Sequence, residues 1–107
     1  MECGHVGILT VDLHLPDGAS LKTKRKELLR LKNALARRFS CAVAEVDHHD
    51  LWQRSRLTLA VVSRTAGEAE DRIGQASRFL SSDEAFQVVD EGRELVPVSG
   101  ESSLWER

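Results

Sequence analysis

Residues 20–40 read SLKTKRKELLRLKNALARRFS. At about 100° per residue, Leu21, Leu28, Leu31, Leu35 and Phe39 fall in one apolar stripe. Lys22, Lys26, Arg30, Asn33 and Arg37 fall in a second stripe on the opposite side. The spacing predicts a helix with one buried and one solvent face. Ser20 is its natural N-cap, because the hydroxyl can accept from an orphan amide of the first turn. Thr23 stands at the position where a reciprocal capping box would need Glu or Gln. The same stretch carries eight basic residues against one acid, a balance of +7 in a chain whose total is −2. The remainder must therefore sum to −9, and the protein is electrically polarised along this helix.

A helix with one apolar face needs a second layer, and the flanking sequence supplies strands. From His5 to Leu15 the chain alternates. Gly7, Leu9, Val11, Leu13 and Leu15 lie on one face, and Val6, Ile8, Thr10, Asp12 and His14 on the other. Pro16-Asp17-Gly18 then has turn chemistry. After the helix, Cys41–Asp47 alternates Ala42, Ala44 and Val46 with Val43, Glu45 and Asp47. The segment His48–Ser55 is long enough for a turn of helix capped by Asp50, and Arg56–Ser63 reads as a third strand. Thr65-Ala66-Gly67-Glu68 is a capping box opening a second helix, with Ala69, Ile73, Ala76 and Leu80 at helical spacing. Gly74 weakens that helix by about 1 kcal/mol relative to Ala. Ala85–Asp90 is a fourth strand, continuing raggedly towards Val96.

The order β-α-β-β-α-β predicts an α+β, ferredoxin-like fold: an antiparallel four-stranded sheet with two helices on one face. The expected domain is residues 5–96, with 97–107 as a flexible C-terminal tail whose Leu104 and Trp105 can dock on the domain. The other sheet face is left open. It is expected to carry Ile8, Thr10, Asp12, His14, Val43, Glu45, Asp47 and part of Thr58, Ala60 and Val62, a mixture that suits a homodimer interface.

Composition narrows the class. A chain of 107 residues with 41% hydrophobic and 30% charged residues fits one folded domain. No apolar run approaches the ~20 residues of a membrane span. The N-terminus lacks the basic region of a signal peptide. Cys3 and Cys41 have no metal-ligand spacing and cannot build a disulfide framework, so reduced thiols in the cytoplasm are expected.

Two segments carry a family resemblance. Ser20-Leu21-Lys22, followed after Thr23 by Lys24-Arg25, and Asp50-Leu51-Trp52-Gln53-Arg54 resemble the signature segments of the YlxP-like bacterial proteins. The resemblance spans about Val6 to Asp90. This chain departs from it at Thr23, where the family commonly has Glu, and in its extra tail. Membership would imply a ferredoxin-like fold and a dimer. The family's genes often lie beside those for translation initiation and ribosome maturation factors, which suggests a ribosome-associated role. It is a family of unknown function, with no catalytic residues to carry over.

The residues point to binding more than to chemistry. Lys22, Lys26, Arg30 and Arg37 recur over a reach of roughly 22 Å, suited to successive phosphates. Lys22, Lys24, Arg25 and Lys26 oppose the helix macrodipole and call for an anion. Either a phosphate or the protein's own Asp12, Asp17, Asp47 or Asp50 can supply it. Trp52 is a candidate stacking platform with Arg54 on phosphate, or alternatively a cover for the core edge. His14, His48 and His49 with Asp12, Asp47 and Asp50 are metal-ligand types, but adjacent strand residues point apart, and a metal is not expected. No nucleophile or cofactor motif is present, and Cys41 reads as a buried thiol. The resulting expectation is a non-enzymatic cytoplasmic homodimer without cofactor or small-molecule substrate. Its partner is ribosomal or precursor RNA, held through Lys22, Lys24, Arg25, Lys26, Arg30, Arg37, Trp52 and Arg54. The alternative is a scaffold dimer whose basic helix docks an acidic protein.

Overall fold

A computed structural model describes residues 2–16 and 20–99. Its elements are β1 (Glu2–His14), α1 (Leu21–Phe39), β2 (Ala42–Asp47), β3 (Arg54–Ser63), α2 (Ala66–Ser81) and β4 (Gln87–Ser99). The sheet order is β2-β3-β1-β4, with every neighbouring pair antiparallel. This is the ferredoxin-like arrangement that the alternating pattern predicts.

Each expected apolar stripe finds its place. Leu9, Val11 and Leu13 of β1 and Leu57, Leu59 and Val61 of β3 are buried under Leu28, Leu31, Leu35 and Phe39 of α1. Ile73, Ala76 and Leu80 of α2 complete the core. Ser20 caps α1 by accepting from the Thr23 amide, and Thr65 caps α2 by accepting from Glu68. Gly7 lets α2 approach β1 closely. A Cβ there would stand 2.8 Å from Ile73 Cγ1 and 3.1 Å from Val61 Cγ2.

Four expectations change. First, Val43 and Glu45 lie on the helix side, not on the open face, because they pair with the inward Leu59 and Leu57. A register shift after Glu45 then returns Asp47 to the open face opposite Arg56. Second, residues 48–53 form no helical turn; β3 begins at Arg54, and the Leu15 amide donates to the Gln53 carbonyl at 2.8 Å. Third, β4 runs through Pro97 to Ser99, pairing Pro97 with His5 and Ser99 with Glu2. Proline is tolerated there because β4 is an edge strand. Fourth, the sheet thus extends beyond 5–96 at both ends. Asp17, Gly18, Leu104 and Trp105 lie outside the described residues.

Candidate nucleic-acid interface

The basic stretch does not act as a single surface. Lys24 points inward and is 1% exposed. Its ammonium donates to the carbonyls of His48 and Leu51, each at 2.6 Å, and to that of His49 at 3.3 Å. It also pairs with Glu45 Oε2 at 3.0 Å. Lys24 is therefore a clamp between α1, β2 and the 48–53 loop, and its assignment as an RNA contact is corrected. Its counter-charge, Glu45, was not among the acids expected from the sequence, because the alternation of β2 placed it on the wrong face.

Glu45 is held from three sides. Ser55 Oγ donates to it at 2.6 Å, Lys24 pairs with it, and His49 Nδ1 lies 3.0 Å from Oε1. Burial pushes the carboxyl up, but these hydrogen bonds outweigh burial and hold it below the usual range. The unusual left-handed backbone of His48, φ 63°, turns its carbonyl towards Lys24. The loop so fixed presents Leu51 and Trp52, 48% and 41% exposed, and then Arg54.

Arg30 is also shared internally, with Glu27 at 3.0 Å and Asp83 at 3.1 Å. Burial lowers its proton affinity and the two carboxylates more than restore it. At 46% exposure it retains a solvent edge, but its charge is balanced within the fold. On the open face, Arg56 grips Asp12 at 2.6 and 3.1 Å and reaches Asp47 at 3.4 Å. Those hydrogen bonds from Arg56 hold the Asp12 carboxyl below its ordinary value against the effect of burial, with the charges of Arg56, Arg54 and His48 adding to them.

Four of the expected cations of α1 remain. Lys22, Arg25, Lys26 and Arg37 are exposed and form no ion pair among the described residues. At helical spacing Lys22, Lys26 and Arg37 share the outward face, with Arg25 on its flank. Arg54 is likewise exposed and unpaired among the described residues. Two cations the sequence gave no reason to group, Arg38 of α1 and Arg78 of α2, line one cleft between the helices. Among the described residues no group of three or more His, Cys, Asp or Glu is placed to hold a metal ion. Burial pushes the Cys41 thiol up despite the opposing charge of Arg72, which makes it a poor nucleophile. No described helix is long and apolar enough to cross a membrane.

With this geometry in place, comparison with known proteins is informative. The family described as Protein of unknown function (DUF503) matches residues 6–93. The chain belongs to this family. It is similar to "Uncharacterized protein YlxP" of Bacillus subtilis (strain 168), 27% identical over 77 residues, covering 72% of this chain and 84% of the relative. The expected resemblance to the YlxP-like proteins is thus upheld. Among solved structures, protein YJCS from structural genomics superposes with a TM-score of 0.50 at 11% identity, over 83% of this chain and 96% of that one. A dimeric ferredoxin-like protein from an uncultured marine organism gives 0.48 at 13% identity, over 94% and 92% of the two chains. The YJCS likeness bears on the fold alone.

Proposed function

We propose that this chain is a non-enzymatic accessory protein that binds structured RNA through the solvent face of α1, assisted by Trp52 and Arg54. The observation that carries the reading is the separation of roles within one helix. Lys24 and Arg30 are neutralised by the protein's own acids, whereas Lys22, Arg25, Lys26 and Arg37 are exposed and have no counter-charge among the described residues. A row of unbalanced cations on a rigid helix is the footprint of a phosphate backbone. The Lys24 clamp adds a second element, since it tethers the loop carrying exposed Trp52 to the first turns of that helix. An aromatic platform beside a cationic row suits unpaired bases next to a helical stem.

Association with the ribosome or its precursors is the form of this reading favoured by the family's gene neighbourhood. Co-sedimentation with ribosomal subunits across a salt series tests it. Binding that fades as salt rises supports it; absence of the protein from the subunit fractions at low salt contradicts it. Pull-down from nuclease-treated lysate separates it from the alternative, an acidic protein partner, which would survive the nuclease.

A second copy is the proposed occupant of the open sheet face. That face carries Val6, Ile8, Ala60, Val62 and Val96 around a Thr10–Thr58 hydroxyl pair at 2.9 Å, and Val62 is 70% exposed. Strands of 13, 6, 10 and 13 residues, at about 3.3 Å per residue and about 4.8 Å apart, offer roughly 650 Å² of flat area. That approaches the about 800 Å² per partner of a standard interface. Homodimerisation through this face would leave both basic helices outward.

A further inference from the structure

The groove between the helices holds two clefts of opposite character. One, about 660 Å³, is lined in part by Glu27, Arg30, Asp83 and Glu84, so its arginine is already balanced by acids. The other, about 500 Å³, is lined among the described residues by Arg38, Phe39, Gln75, Arg78, Phe79 and Ser82, with no carboxylate.

The floor of the second cleft is a pair of rings. Phe39 and Phe79 meet edge-on, with centroids 5.7 Å apart. The Arg38 guanidinium lies over both, 5.0 Å from the Phe79 centroid and 5.9 Å from that of Phe39. A cation–π contact engages the charge of a guanidinium without using its N–H donors in hydrogen bonds to an acceptor. Neither Arg38 nor Arg78 finds a hydrogen-bond acceptor or a carboxylate for its guanidinium among the described residues. Cations in the last turn of a helix can answer its macrodipole. At the end of α1, however, Arg72 already meets that need by donating to the carbonyls of Phe39 and Ser40. Two like charges lining one cleft, with no anion beside them among the described residues, call for an external one.

We propose that the Arg38–Arg78 cleft is a phosphate-binding site, with the Gln75 amide as an additional donor. Arg38, held against the rings, supplies a planar fork for two phosphate oxygens, and Arg78 supplies charge from the facing helix. Where the phosphate belongs to RNA, the inference rests on the helix-face reading and extends the strand's path from α1 across to α2. A small polyphosphate is the other source of the same chemistry.

The test follows the arginine Nε–H resonances of the full chain during titration with pyrophosphate and, separately, with a short oligouridylate. Saturable shifts at Arg38 and Arg78 with either probe support the site. A response to both, or to the oligonucleotide alone, assigns the phosphate to RNA. A response to pyrophosphate alone keeps the cleft and removes the RNA reading. R78Q, whose parent side chain makes no hydrogen bond within the described fold, should weaken the responding probe about tenfold. For RNA it should also make the salt slope shallower by about 0.7. R38Q should act in the same direction, with its thermal midpoint reporting any loss from the ring contact. Silence of both arginines with both probes overturns the proposal. So does RNA binding by R78Q and R38Q with unchanged affinity and salt slope, an outcome that leaves the α1 reading intact.

Discussion

Lys24 shows how burial changes the meaning of a residue. In the sequence it is one of four cations crowding a helix start; in the fold it is a buried ammonium satisfied by three carbonyls and Glu45. Removing one member of a buried pair strands the other charge, so K24M should destabilise the protein by about 3–5 kcal/mol in urea denaturation. In a W105F background, Trp52 emission should become more accessible to quencher in that variant, because the loop loses its tether. Glu45 sets an acid limit with a definite sign. Its folded pKa lies below the ordinary 4.5, so the unfolded chain takes up the proton first as pH falls. Its stabilisation is complete above about pH 4.5 and fades as pH drops through the lower folded value. E45Q should flatten that acid limb of the Tm profile; an unchanged limb would show that Glu45 is not linked to folding. None of this was legible in CAVAEVD, where small alanines and a register shift conceal which face is inward. Periodicity identifies a strand but does not fix the face when both sides carry small aliphatic residues.

The elements themselves were well marked. Leu28, Leu31, Leu35 and Phe39, and Ala69, Ile73, Ala76 and Leu80, are buried as their spacing requires, and both N-caps form. What the sequence could not express is how closely elements meet. Gly7 and Gly74 look alike as letters and differ in surroundings. G7A would drive a methyl into Ile73 and Val61 and should cost about 1–3 kcal/mol. At Gly74 the nearest atom to an added Cβ is Arg78 Nη1 at 3.5 Å, so G74A should stabilise by about 0.5–1 kcal/mol. Thermal or urea unfolding of the two variants checks the contrast, and equal effects would contradict the packing of α2 on β1. The 48–53 loop was misread as a helical turn for a related reason. Its shape is imposed by Lys24 and by the Leu15–Gln53 hydrogen bond, both long-range partners that no local pattern announces.

At the scale of the molecule, the proposed function gives the helix layer and the open sheet face different tasks. The sheet face carries the aliphatic patch Val6, Ile8, Ala60, Val62 and Val96 beside the Thr10–Thr58 pair, and a second copy is its proposed occupant. V62E, at a residue 70% exposed, should shift sedimentation equilibrium towards monomer while leaving the far-ultraviolet spectrum unchanged. A wild-type chain that sediments as a monomer at high concentration would remove the dimer. The helix layer is where charge and exposure coincide, although among the described residues four of the six expected helix cations, Lys22, Arg25, Lys26 and Arg37, have no balancing acid. The decisive measurement is RNA affinity by fluorescence anisotropy across a salt series, for the wild-type chain and for K22E/K26E, neither of whose parent side chains has a partner among the described residues. The account predicts that log Kd rises linearly with log salt and that the double variant loses at least about tenfold in affinity with a shallower slope. Binding that is absent at low salt, or indifferent both to salt and to the two substitutions, would contradict it.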